Sequence, residues 1–217
     1  MTTPPDGPLA RPIPNLDVLA DLRSNVRAAD VATAPLLDAA ECEELIAACD
    51  DDGWREAARR RATSEAVLSG TVSEPFVDTA HKSRIEQAFP SSALRLAEKI
   101  VAGVQAINVE VYGFRVVGAE DPMRVMRYRA EAGDHYTRSH FDLGPLHPLR
   151  KLSFSIMLSE SHAFAGGDLE FSGTVVAASR TQGTVTVFPA FVPHRVTPLE
   201  QGERRVVVGF LLGPTFV

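Results

Sequence analysis

Residues 183–214 read GTVTVFPAFVPHRVTPLEQGERRVVVGFLLGP. Two parts of this stretch, GTVTVFPA (183–190) and RRVVVGFLLG (204–213), are rich in β-branched and apolar residues and are bounded by Gly and Pro, the composition of strands. The same signature runs back through VEVYGFRVV (109–117), MRVMRYRA (123–130), KLSFSIMLSE (151–160), GDLEFSG (167–173) and TVVAAS (174–179). Upstream the period changes. After Pro35, Leu37, Cys42, Leu45, Ile46 and Cys49 recur at helical spacing, with Asp38 as N-cap and Glu41 three residues on. The run DDDG (50–53) ends that helix. Residues 63–80 are polar and predict a loop. A second helix is predicted over 91–108, from the Ser-Ser pair, with Leu94, Ala97, Ile100, Val101 and Val104 on one face. Helices first and then a run of strands predict an α+β, mainly β chain. It would be an antiparallel sandwich or barrel with the N-terminal helices packed on one sheet.

The chain has 217 residues, 45% of them hydrophobic, enough for one sizeable core. Five prolines in residues 1–15 mark 1–30 as a Pro-rich, partly disordered segment. Residues 31–217 are then a single domain, with helices to about 108 and the β core over 109–217. The net charge of −6 and the scattered basic residues exclude a nucleic-acid partner. The longest apolar runs, such as VVVGFLL (206–212), are too short to span a bilayer, and the N-terminus lacks the pattern of a secretory signal. Cys42 and Cys49, two helical turns apart, are read as reduced core residues of a cytoplasmic protein. No feature of the sequence speaks to oligomeric state.

The chemistry begins at HYTRSHFDLGP (135–145). In an extended chain His140 and Asp142 point the same way while Phe141 faces the opposite side. With six His and 28 acidic residues, such a pair arises roughly once by chance. A second observation gives it weight: His194 lies 54 residues on and Arg204 ten beyond that. Two His and one carboxylate on one side of an ion form the donor set of non-heme iron(II) oxygenases and leave adjacent positions open. An arginine suits the far carboxylate of a chelating cosubstrate. Arg205 takes that role if the strand register turns Arg204 outward.

Through RYRAEAGDHYTRSHFD (127–142), RKLSFSIMLSE (150–160), FAGGDLEF (164–171) and 183–214, the chain resembles the prolyl-4-hydroxylase-like Fe(II)/2-oxoglutarate-dependent dioxygenases, in particular their small bacterial branch. ECEELIAACDDDGW (41–54) is similar to the family's N-terminal helix. The resemblance covers roughly 36–217. It implies a double-stranded β-helix, a jelly roll of the cupin kind, with His140, Asp142 and His194 as metal ligands and Arg204 on the distal carboxylate of 2-oxoglutarate. It implies Fe(II), 2-oxoglutarate and O2, and admits ascorbate. It sets Tyr128 beside the cosubstrate, with Ser153 and Ser155 lining that pocket. Family members commonly read Tyr-x-x-Gly-x-x-aromatic-x-x-His-x-Asp. Here four residues separate Tyr128 from Gly133, and three separate Tyr136 from His140.

The activity implied is hydroxylation of an unactivated C–H bond with release of succinate and CO2. The expected substrate is a small molecule, such as a free amino acid or biosynthetic intermediate. The alternatives are a peptide or protein prolyl residue and, in another class, a jelly-roll metal- or ligand-binding protein without turnover. His147, in GPLHPLRK (144–151), is read as a loop residue with substrate contact as the lesser option. His81, His135 and His162 are read as structural or exposed, Trp54 as packing, and Gly166 and Gly167 as a tight turn.

Overall fold

The computed structural model describes residues 31–49, 53–56, 58–59, 76–77, 82–119, 122–132, 135–172 and 178–216. The Pro-rich segment 1–30, most of the expected loop 63–80, His81 and the greater part of 174–179 lie outside the described residues. Ten strands and two helices carry the argument. They are β1 (Ala32–Pro35), α1 (Ala39–Ala47), β2 (Ile85–Ala88), α2 (Leu94–Ile107), β3 (Arg124–Arg129), β4 (Tyr136–His140), β5 (Arg150–Met157), β6 (Phe164–Gly166), β7 (Leu169–Phe171), β8 (Thr184–Pro189), β9 (His194–Val196) and β10 (Leu199–Leu212).

The large sheet runs β1-β8-β5-β10-β3-β2 and ends on the bridge strand Arg55–Glu56, with β6 attached to β10. The smaller sheet runs β7-β9-β4 and ends on Lys82–Ser83. The pairings are antiparallel, so each strand sends alternate residues to opposite faces. On β5, Leu152, Phe154 and Ile156 pack toward the helices with Val185, Val187 and Val207. Met157 of β5 joins Met126, Tyr128, Phe188 and Val206 on the other face, where they meet Leu169, Val192 and Val196 of the smaller-sheet region. The large sheet therefore has one apolar face for the helices and one for a chamber between the sheets, the jelly-roll arrangement the alternation predicts. Each fully buried Leu, Ile or Phe contributes about 1.5–3 kcal/mol of apolar burial.

Helix α1 begins as its sequence dictates. Asp38 Oδ1 accepts from the Glu41 backbone N–H at 2.8 Å, and Glu41 Oε2 accepts from the Asp38 N–H at 3.0 Å, a full capping box. Glu41 also takes the Lys99 ammonium at 2.6 Å, tying α1 to α2. Two expectations for the second helix need correction. Its buried stripe is Leu96, Ile100 and Val104, while Leu94 is 64% exposed. A 3-10 turn at Ser91–Ala93 precedes it and resets the phase. The strand expected over 109–117 is not one: Asn108–Tyr112 continues the helix as a π turn, stopped by Gly113 at φ 64. Tyr112 is drawn inward because its hydroxyl donates to the Val187 carbonyl at 2.7 Å, and the Asn108 amide closes the turn on Phe114 at 2.8 and 3.0 Å.

Cys42 is buried, Cys49 is half-buried, and both are free. Trp54 packs against the helix-side core, beneath the Arg127 guanidinium. Among the described residues no helix is long and apolar enough to cross a membrane.

Candidate metal and cosubstrate site

His140 ends β4 and His194 opens β9, and the two are directly opposed in the ladder. This pairing brings residues 54 positions apart in sequence into contact, with ring centroids 4.3 Å apart. Asp142 lies two residues past the end of β4. Its N–H and that of Leu143 donate to the Ala190 carbonyl at 3.0 and 2.9 Å, which fixes the turn. His140 Nε2 stands 3.6 Å from Asp142 Oδ1, and His194 Nε2 stands 3.4 Å from Asp142 Oδ2. All candidate ligand atoms of the three residues fall within 4.8 Å of one another. Neighbouring ligand atoms around one small divalent ion sit roughly 3 Å apart, so the two Asp142 separations are already close to that spacing.

The tautomers follow from the backbone. His140 Nδ1 is 2.9 Å from the Arg138 carbonyl and His194 Nδ1 is 3.0 Å from the Val192 carbonyl. A carbonyl only accepts, so each Nδ1 carries the hydrogen and each Nε2 lone pair is left facing Asp142. Burial holds the His194 pKa below the ordinary histidine value, against the pull of the Asp142 charge, so the ring favours its neutral, ligating form. Burial pushes the Asp142 carboxyl upward. When the imidazoles carry a second proton, hydrogen bonding to His140, the charges of His194 and His140, and the Ser153 hydroxyl outweigh that and hold it well below the usual carboxylate range. Phe188 packs edge-on to His194, with centroids 4.7 Å apart.

Ser153 belongs to this centre more directly than the sequence suggests. Its hydroxyl donates to Asp142 Oδ2 at 2.7 Å, from β5 across the chamber, a bond the sequence did not signal. Ser155, two residues on and on the same face, is nearly buried and makes no such bond.

Arg204 points into the chamber. It is 2% exposed and opposes Tyr128 in the β10–β3 ladder, with its guanidinium carbon 5.1 Å from the Tyr128 ring centroid. Its Nε and Nη1 are buried with no hydrogen-bond acceptor among the described residues. Arg205 faces the other way, in an ion pair with Glu203, so the fallback assignment is not needed. Burial presses the Arg204 pKa down, offset in part by Tyr128 and Asp168; an arginine stays charged under such pressure. A buried guanidinium with two unused donors calls for an anion, and a carboxylate held in a planar fork fits it. The donor set at the triad and this orphaned cation thus fit Fe(II) and a dicarboxylate cosubstrate.

Gly166 and Gly167 form the expected tight turn, at φ 68 and 65. Gly167 does more: a Cβ there would lie 2.8 Å from Leu199 Cδ1 and 3.1 Å from Arg204 Cδ, so its bareness makes room for the arginine stem. The Tyr128 hydroxyl reaches Thr137 Oγ1 only at 3.4 Å, a long O–H···O contact. Both departures from the family spacing are absorbed locally. Between Tyr128 and Gly133 the chain takes a 3-10 turn at Ala130–Ala132. Between Tyr136 and His140 the ladder slips, so that three steps on β4 match two on β9, a bulge that keeps His140 opposite His194.

Among the described residues, no other histidine joins this cluster. His135 is buried, accepting the Arg129 N–H on Nδ1 at 2.9 Å. His162 is exposed and pairs with Glu160 at 3.0 Å, and His147 is exposed in the loop. Arg84, discussed below, carried no distinguishing signal in the sequence.

Residues 123–212 match the family model described as the 2OG-Fe(II) oxygenase superfamily. A PKHD-type hydroxylase of Hyphomonas neptunium is 38% identical over 63 residues, a match spanning 28% of each chain. Among solved structures, a prolyl-4-hydroxylase of Pseudomonas putida superposes with a TM-score of 0.60 at 18% identity, covering 90% of this chain and 99% of its own. A prolyl hydroxylase of Trichoplax adhaerens, in complex with a hypoxia inducible factor peptide fragment, gives a TM-score of 0.63 at 12% identity, covering 90% of this chain and 87% of its own. These structural likenesses are likenesses of fold. The family match over 123–212 spans β3 to β10 and with them the triad and Arg204, and the solved structures share the fold.

Proposed function

We propose that residues 31–217 act as one Fe(II)- and 2-oxoglutarate-dependent dioxygenase domain that hydroxylates an unactivated C–H bond of a small molecule, such as a free amino acid or a biosynthetic intermediate. The observation that carries this reading is Arg204, a buried guanidinium with two unused donors in the chamber that holds His140, Asp142 and His194. A jelly roll that merely bound metal would have no use for such a group. A cytoplasmic setting accords with the two free cysteines.

His140, Asp142 and His194 would hold Fe(II), and Arg204 the distal carboxylate of 2-oxoglutarate. When bound, metal and cosubstrate supply the oxidative chemistry: O2 places one atom in the new hydroxyl and one in succinate, as 2-oxoglutarate loses CO2. The chain supplies the rest. The carbonyls of Arg138 and Val192 orient the two imidazoles, Ser153 fixes the carboxylate, and Phe188 and Val192 keep water from His194. Tyr128 carries a weakly engaged hydroxyl next to Arg204, a second donor for the same cosubstrate.

Titration of the metal-free protein under argon with Fe(II) and then 2-oxoglutarate tests the reading. A weak visible charge-transfer band should need both additions and disappear in His194→Ala. A folded, iron-binding protein that gives no band would sink it. Hydroxylation of a prolyl residue in a peptide is the second reading, favoured by the prolyl hydroxylases among the structural neighbours. Succinate release with free amino acids as against proline-containing peptides separates the two.

A further inference from the structure

The chamber holds a second cation that the proposed chemistry does not use. Arg84 sits where the chain crosses between the sheets. Lys82–Ser83 pairs with β4, and the next residue after Arg84 opens β2 in the large sheet. Its side chain is 8% exposed. Nη1 donates to Thr137 Oγ1 at 2.8 Å, and the guanidinium carbon lies 6.0 Å from the centroid of the Tyr128 ring that Arg204 also approaches.

Its charge is only partly answered. Glu86, itself buried, is 3.4 Å from Arg84 Nη2 but makes a much closer contact to Arg124, so one carboxylate serves two guanidiniums. Arg84 Nε is buried and has no acceptor among the described residues. Asp142 is engaged by the two imidazoles and Ser153, and Asp168 by Arg180. An orphaned donor on a buried charged group is costly unless a ligand supplies the acceptor. The cosubstrate has one distal carboxylate, and Arg204 has the donors for it. Thr137, which steadies Arg84, also lines an open groove of about 540 Å³ over β4 and the 195–198 segment.

We infer that Arg84 anchors a carboxylate of the substrate, so that the molecule oxidised is a small carboxylic acid, with free amino acids as the leading class. The inference rests on the proposed oxygenase reading for the word substrate, but the anion site itself is testable without turnover. An internal peptide residue brings no backbone carboxylate to such a site, which sets this reading against the peptide alternative.

The arginine Nε–H resonances of the ¹⁵N-labelled, zinc-loaded full chain are the direct readout, with Arg84 and Arg204 assigned from Arg84→Gln and Arg204→Met. With 2-oxoglutarate saturating, the Arg84 signal should move saturably with propionate or with members of the twenty free amino acids. The corresponding primary amides should leave it in place. Arg84→Gln should weaken that carboxylate at least about tenfold and change 2-oxoglutarate affinity less than about twofold. The inference is overturned if neither propionate nor any amino acid shifts Arg84 saturably. It is equally overturned if 2-oxoglutarate alone moves the Arg84 signal and Arg84→Gln weakens 2-oxoglutarate as much as the added acid. An Arg204 signal indifferent to 2-oxoglutarate would count against the oxygenase reading instead, whatever Arg84 does.

Discussion

Replacing Ser153 by Ala removes one hydroxyl and leaves the surrounding strands intact. The bond lost is 2.7 Å long and ends on the buried carboxylate of Asp142. Hydrogen bonds to charged groups contribute about 1.5–3 kcal/mol, so metal-free Ser153→Ala should be less stable by about 2 kcal/mol. For a domain of this size that is a melting-temperature loss of about 4–8 °C. The effect on metal has two opposed parts. A carboxylate with fewer donors is more basic and a stronger ligand, but it is also free to rotate. Here both oxygens already face imidazole nitrogens, at 3.6 and 3.4 Å, and Ser153 is the hydroxyl that fixes the carboxylate plane. Orientation should therefore dominate, with a loss of about 10–100-fold in affinity, the usual scale for an outer partner of a metal ligand. Calorimetric titration with Mn(II), which does not oxidise readily, gives the number, and Ser155→Ala on the same face of β5 is the control. If Ser153→Ala binds metal within about twofold of the parent while Ser155→Ala does the same, the bond does not orient Asp142 and the reasoning fails.

Three other outcomes follow from the same geometry. Arg204→Met should abolish 2-oxoglutarate binding, yet leave the ligand-free melting temperature unchanged or higher, because it removes a buried cation with unused donors; a large loss of stability in calorimetry would show that the guanidinium is satisfied within the fold. Gly167→Ala forces a side chain into φ 65 against Leu199 and the Arg204 stem, so it should cost about 1–2 kcal/mol in urea melts and also weaken 2-oxoglutarate. Stability of the metal-free chain should fall as pH drops below about 6.5, because His135 and His194 are buried and hold lowered pKa values, so the unfolded chain takes up protons that the folded one resists. Each contributes up to about 1.4 kcal/mol per pH unit in that range and nothing above it, and His135→Gln should flatten the slope by one histidine's share.

The triad was legible because its spacing encodes a ladder. His-x-Asp at the end of one strand and a His at the start of its antiparallel partner face each other whenever the register holds, and β4 and β9 keep that register through a bulge. Arg204 was legible for the same reason, since parity along β10 sends 204, 206 and 208 to one face. What escaped was governed by tertiary partners. Val109-Glu110-Val111-Tyr112 alternates like a strand, but the Tyr112 hydroxyl has an acceptor on β8 and Gly113 supplies the left-handed stop, so the helix runs on. The edge strand β1 is four small residues ending in Pro and has no pattern of its own; it exists because Val185 and Val187 offer it a partner. Ser153 read as pocket lining because nothing in KLSFSIML shows that the carboxylate eleven residues earlier returns to meet it.

Arg84 shows the limit of pattern reading most plainly. In SRIEQAF an arginine next to an alternating strand reads as a solvated edge. In the folded chain it is brought to the Tyr128 ring that Arg204 also approaches. Two guanidiniums with unfilled donors near one ring repel each other and weaken the empty fold. Each anion that enters should therefore stabilise the chain, by filling donors that the described residues leave without an acceptor. If 2-oxoglutarate fills only Arg204, Arg84 keeps its unfilled donor, and a further carboxylate should stabilise the chain again, less the repulsion between the two bound anions. Melting temperatures with each acid alone and with both together measure this directly: a combined shift greater than that of either acid alone marks two anion sites, and a combined shift no larger than that of 2-oxoglutarate alone means that Arg84 and Arg204 share a single anion.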